Sequence, residues 1–196
     1  LALVAAGCAS DYHYVKSSED RTYFRVPKRW TLFDEKAIMD RLGTDLTEAQ
    51  RATELEQTWR VAFDAAPNPS LEHLAGTVDH PSGIALVRRL SFDMADSISL
   101  NALRNYFFDI DSALQNDQGT LTSYEELQLD GGFRGIHLVA DLEVGARGTI
   151  TIDQTTLVDQ ATTKVYALLI SCSSRCFDRN RGEIEKVVES WTVRAK

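Results

Sequence analysis

Two thiols four residues apart, Cys172 and Cys176 in SCSSRC, have the spacing in this chain that most directly permits chemistry. They fall where an apolar run meets the closing helical segment. In an oxidising compartment such a pair can form a disulfide; the alternative is two small apolar side chains packed separately, and spacing alone leaves both open. A loop this short stabilises by at most about 2 kcal/mol in the chain-entropy model, enough to pin a corner. A structural zinc site needs four ligands, usually from paired motifs, and no second pair is present. The Cys-x-x-Cys of redox proteins is also missing. Among the histidines, His13, His73, His80 and His137, only His137 has an informative setting. Alternation places it on one strand face with Val139, Asp141 and Glu143, hence beside carboxylates on the less buried side. Asp79-His80-Pro81-Ser82 lines up three triad residue types, but consecutive residues cannot adopt triad geometry. Arg88 and Arg89 alternate to opposite faces of a strand and cannot clamp one anion together. The glycines of DGGFRG lie between strands rather than before a helix, which is not a phosphate cradle. No catalytic residue, metal or non-covalent cofactor is therefore expected, and the chain reads as non-enzymatic.

The third cysteine, Cys8, follows a short apolar run, LALVAAG, and precedes polar residues. Ala5-Ala6-Gly7-Cys8 resembles the lipobox of bacterial lipoproteins, in which small residues precede a cysteine that takes a diacylglycerol. Ala5 stands where that motif usually has leucine. On this reading residues 1–7 are the remnant of a signal peptide, and residues 8–21 are a lipidated N-terminus and polar tether. Residues 22–196 then form one domain with a helical insertion at about 33–75. Two ester-linked chains and an N-acyl group satisfy the two-signal requirement for stable anchoring. The alternative is a short buried strand with Cys8 a free thiol.

With 196 residues, 43% hydrophobic and 26% charged, the chain has the composition of a single globular domain with a sizeable core. A net charge of −8 repels polyanions at long range, so nucleic acid is not an expected partner. No apolar stretch approaches the ~20 residues of a membrane-spanning helix.

The positioning elements follow from hydrophobic period. TYFRVPKRW has the alternation and aromatic weight of a strand, with Pro27 closing it, and FDEKAIMDRLG reads as a short helix stopped by Gly43. Asp45 and Glu48 have capping-box spacing for a helix continuing to about Phe63, with Leu46, Ala49, Ala52, Leu55, Trp59 and Phe63 on one side. IALVRRL reads as a strand. Ser99 caps a helix whose buried stripe is Leu100, Leu103, Phe107, Ile110 and Leu114. Residues 124–129 and IHLVADLEV form an antiparallel hairpin with Ile136, Leu138, Ala140, Leu142 and Val144 on its core face. Residues 149–158 form a strand, and the continuous apolar run VYALLISC a central one. Asn180 and Glu183 have capping-box spacing for the last helix, striped by Ile184, Val187, Val188 and Trp191.

Phe24-x-Val26-Pro27-x-x-Trp30, the turn Gly132-Phe133-Arg134-Gly135 and the ending Val187-Val188-x-Ser190-Trp191-x-Val193 together resemble the PsbP-like superfamily. That group includes the photosystem extrinsic protein PsbP, a Ran-binding nuclear-transport protein and bacterial lipoproteins of the LpqN-like branch. The resemblance implies an α+β fold, a central, mainly antiparallel β-sheet flanked by helices on both faces. It also implies docking rather than catalysis. The expectation is a non-enzymatic lipoprotein on the outer face of a bacterial cytoplasmic membrane, an accessory subunit of a membrane-protein complex or envelope assembly. The alternatives are a carrier or sensor for a small hydrophobic or lipid ligand and, ranked last, an envelope hydrolase.

Overall fold

The computed structural model describes residues 11–76, 78–145 and 148–195. Cys8 and residues 1–7 lie outside them. From Tyr12 onward the segment expected as a tether is a strand. β1 (Tyr12–Ser17) pairs antiparallel with β2 (Thr22–Pro27), setting Tyr14 opposite Arg25 and Lys16 opposite Tyr23. Val15 and Ser17 alternate inward while Tyr14 and Lys16 stay outside. A period of two thus buries one face despite the polar composition.

β3 (Thr31–Phe33) leads into α1 (Glu35–Leu42), capped by Asp34 and closed at Gly43. α2 (Glu48–Gln57) is capped by Thr47 with Gln50 reciprocating, two residues beyond the expected Asp45–Glu48 box. α2 also ends earlier than expected. Residues 58–64 are β4 (Thr58–Asp64), so the insertion is not wholly helical. Val61 and Phe63 face one side of the sheet and Ala62 the other, all buried. The four-residue spacing of Leu55, Trp59 and Phe63 mimicked a helical stripe, but β-branched and aromatic residues between two strand partners gain more as sheet. A 3-10 turn (Leu71–Ala75) precedes β5 (Ser82–Arg89).

After α3 (Phe92–Ser97), the single helix expected over 100–114 is broken in two. α4 (Leu100–Arg104) is capped by Ser99, and α5 (Ile110–Gln115) by Asp109. Asn105 separates them, its side chain bonding both the Asp111 amide (3.0 Å) and carboxylate (2.7 Å). β6 (Gly119–Leu129), β7 (Phe133–Glu143), β8 (Thr149–Val158) and β9 (Lys164–Ser173) follow as successive antiparallel neighbours. α6 (Ser174–Ser190) starts at the Ser173 cap rather than near Asn180, whose side chain instead bonds back to the Cys176 carbonyl at 2.8 Å. β10 (Thr192–Val193) ends the chain on β2.

Two antiparallel sheets result, one ordered β1-β2-β10 and one of seven strands ordered β3-β4-β5-β9-β8-β7-β6. β9 is central, which explains its unbroken apolar run. Leu168, Ile170 and Cys172 of β9 pack under α6 and the small sheet, against Phe24, Trp30, Phe177, Ile184 and Val187. The opposite face, with Val165, Leu169, Ile136, Leu138 and Ile152, is covered by Leu103 of α4 and Ile110 of α5. Gln154, fully buried, bonds the carbonyls of Leu103 and Arg104 and ties α4 to the sheet. Helices therefore flank the main sheet on both faces in an α+β sandwich, as the resemblance implies.

Candidate functional site

α6 and the small sheet pack on the face of the large sheet that carries Leu168 and Ile170, α6 reaching β9 and β8, and beside the two-residue β10 the β6 edge of that face is only partly covered among the described residues. A groove of about 300 Å³ runs there. Leu127, Leu129, His137, Thr155 and Leu157 make its floor, and Val188, Trp191 and Val193 its wall. Leu157 itself is buried at the base, and Phe133 and Tyr166 pack beneath it with their rings edge to face at 5.6 Å. Burial pushes the Tyr166 phenol up to about 12, so it stays protonated at neutral pH. Trp191 is held in place. Its indole N–H donates to Thr22 Oγ1 at 2.9 Å and its amide to the Val188 carbonyl at 3.0 Å. A rigid indole, nearby leucines and a polar rim that includes Glu125 and Glu189 match the composition of protein-binding patches. β6 is also an edge strand, with Tyr124 and Leu129 exposed along it.

His137 lines this groove, but its acidic neighbours are Asp153 of β8 and Glu125 of β6 rather than the Asp141 and Glu143 expected from its own strand, because the cross-strand register sets its contacts. Its Nε2 lies 2.9 Å from Oδ1 of the nearly buried Asp153. That hydrogen bond raises the imidazole pKa; burial opposes it, and the charges of Asp153 and Glu125 add to it. A raised folded-state pKa stabilises the fold fully below the ordinary imidazole value and loses that contribution as pH rises through the folded one. Asp153→Asn is accordingly expected to destabilise most at about pH 5 and progressively less towards pH 9. Denaturant unfolding of parent and variant across that range measures the difference. In the same polar column, the hydroxyls of Thr151 and Ser174 both go to Asp141. The histidine thus has an acidic partner, while those hydroxyls belong to another carboxylate.

The remaining candidate residues are dispersed. Asp79 accepts from Ser173, and Ser82 donates to the His73 carbonyl, so Asp79, His80 and Ser82 do not converge. Arg88 pairs with Glu54 and Arg89 with Glu19. His73 Nδ1 lies 2.7 Å from buried Asp64. Cys172 and Cys176 are disulfide-bonded, with Cα atoms 5.9 Å apart, at the corner where β9 turns into α6. Among the described residues no group of three or more His, Cys, Asp or Glu could hold a metal ion, and no helix is long and apolar enough to cross a membrane.

A second surface went unread at the level of sequence. The outer face of the small sheet alternates Tyr14 and Lys16 on β1 with Tyr23 and Arg25 on β2, around a shallow groove of about 400 Å³. Tyr14 is 73% exposed. The Arg25 guanidinium lies 4.7 Å from the Tyr12 ring centre, and that of Arg194 lies 5.6 Å from Tyr23. Beside it a cleft of about 480 Å³ is lined by Lys28, Arg29 and Lys186 together with Asp11 and Glu183. The individual residues were legible; their shared face depends on a hairpin placed where a tether was expected.

The architecture is that of the PsbP-like fold. The solution structure of cyanobacterial PsbP (CyanoP) from Synechocystis superposes with a TM-score of 0.55 at 13% identity, covering 98% of this chain and 99% of that one. The Saccharomyces cerevisiae Ran-binding protein Mog1p aligns with a TM-score of 0.48 at 9% identity, covering 94% and 96%. A Pseudomonas aeruginosa protein of unknown function, described as a putative regulator, aligns at 0.47 and 7% identity over 95% and 100%. No family model matches the chain, and no curated protein matches its sequence.

Proposed function

We propose that this chain is a non-enzymatic accessory protein, anchored through acylated Cys8 to the outer face of a bacterial cytoplasmic membrane. It docks in the groove between α6, β10 and β6 on a segment of a membrane-protein or envelope partner. The observation that carries the reading is the groove beside the fixed Trp191, where Leu129 is 43% exposed and Leu127 half-buried on the edge strand β6. The partner segment is apolar with basic flanks, because the exposed carboxylates of Glu125, opposite His137 on β6, and Glu189 on α6 border the groove. Anchoring raises the local concentration of the domain at the membrane, so a modest interface suffices for occupancy. Two further features support the setting: the lipobox-like run before Cys8, and a disulfide of the kind that persists in oxidising compartments. The PsbP-like fold is compatible with such a role.

Leu129→Glu tests the docking face without threatening the fold, since Leu129 is 43% exposed. Affinity capture from the membrane fraction is expected to lose the partner by roughly tenfold or more for Leu129→Glu and for Trp191→Ala, the size of effect seen at interface hot spots. Undiminished capture by both variants, each shown to be folded, overturns the assignment of the groove.

A further inference from the structure

We infer that the outer face of the small sheet, carrying Tyr14, Lys16, Tyr23 and Arg25, lies on a layer of anionic lipid headgroups. The inference rests on the anchored reading for its location only; its chemistry stands on the face itself. Asp11 is three positions after Cys8, at most ~11 Å of extended chain. The Asp11 carbonyl is tied to the Lys28 amide at 2.8 Å. An acyl group on Cys8 therefore holds this end of the small sheet at headgroup level. The side chains presented there suit that layer: tyrosines place an apolar ring and a wet hydroxyl at a membrane interface. Lysines and arginines near an anionic surface contribute favourably one by one.

Register makes the pattern regular, with Tyr14 opposite Arg25 and Lys16 opposite Tyr23. Lys28 and Lys186, both exposed, extend the basic character into the adjoining cleft, where Arg29 and Glu183 pair with each other. The carboxylates bordering the two grooves, Asp11 and Glu189, leave the cations in excess. The chain as a whole carries −8, but fields decay over ~8 Å at physiological ionic strength, so a membrane reads the face nearest to it. A protein partner would have to reach this face past the anchor, which is why a lipid surface is favoured.

The test uses the full chain with Cys8→Ser, so that no acyl group contributes. Its co-sedimentation is compared on vesicles of pure phosphatidylcholine and on vesicles containing one-third phosphatidylglycerol. Whatever the apolar start of the chain adds is common to both. Binding is expected on the phosphatidylglycerol vesicles alone and to weaken with salt. Lys16→Glu/Lys28→Glu/Lys186→Glu, three exposed positions, is expected to reduce it on the order of 100-fold. Lys36→Glu/Arg41→Glu/Arg175→Glu changes net charge equally at exposed sites elsewhere and is expected to bind clearly better than the first triple variant. Equal binding to both vesicles, equal loss in the two triple variants, or binding to polyglutamate but not to vesicles overturns the inference, the last naming an acidic protein as occupant. Mass spectrometry of the N-terminal peptide judges the anchor separately. An unmodified Cys8 with the vesicle result intact removes the anchor and keeps the face; an acylated Cys8 without vesicle binding does the reverse.

Discussion

Gly135→Ala is expected to destabilise the protein by at least about 3 kcal/mol, the upper part of the range for overpacking a closed site. A Cβ at this position would lie 2.0 Å from the Thr156 carbonyl oxygen, 2.8 Å from Leu157 Cα and 2.9 Å from the Thr156 carbonyl carbon. All three are backbone atoms of β8, so no flexible side chain can swing aside. β7 would have to move off β8 over a stretch where the two strands pair from Arg134–Val158 to Glu143–Thr149. Each ladder bond weakened costs about 1 kcal/mol. The displaced segment also carries Phe133, so the floor of the groove would shift with it. Thermal unfolding is the measurement, with a midpoint lowered by roughly 6–12 °C at this chain length. Gly182→Ala is the control. Gly182 lies within α6 with nothing inside 4 Å of its added Cβ, so alanine there is expected to stabilise by roughly 0.5–1 kcal/mol.

Cys8→Ser is expected to have the largest effect on location. Each buried methylene of an acyl chain contributes about 0.8 kcal/mol to membrane affinity, and a single chain gives only reversible attachment. On the anchored reading proposed above, a diacylglycerol with an N-acyl group is expected to retain the protein in the membrane fraction through washes at high salt. A serine cannot accept the lipid, so only the headgroup contacts remain, and these are screened by salt. Fractionation of cells expressing parent and variant is expected to move the protein from the high-salt membrane pellet to the soluble extract. Equal retention of both forms contradicts the anchor.

Most of the main sheet was legible in the sequence because its strands obey simple periods. Ile136, Leu138, Ala140 and Leu142 alternate on β7, and all are buried. β9 is apolar from Val165 to Ile170 because both of its faces are covered. The errors arose where two periods coincided or a cap could be formed twice. Leu55, Trp59 and Phe63 share a helical spacing, yet Trp59 and Phe63 belong to a strand whose partners, β3 and β5, are distant in sequence. Ser173 and Asn180 could each cap a helix. Ser173 prevails because the strand ends there and its hydroxyl accepts from the Cys176 amide.

The groove was less legible than the fold, for a topological reason. Its walls and floor come from 127–137, 155–157 and 188–193, which become neighbours only through β-register and the return of the chain after α6. His137 was singled out, but with Asp141 and Glu143 of its own strand rather than Asp153 across the ladder, and Leu127 and Leu129 looked like any residues on a strand. Trp191 and Val193 were noticed as part of a family-like ending, without the sheet face that gives them something to wall.

Site-specific photo-crosslinking in intact cells tests the docking claim most directly. A photoreactive residue at position 129, on the groove floor, is expected to capture one dominant protein adduct that disappears when Trp191 is replaced by alanine. The same probe at position 42, exposed on α1, is expected to miss that adduct. Capture of the same partner from both positions, or from position 42 alone, would contradict the account.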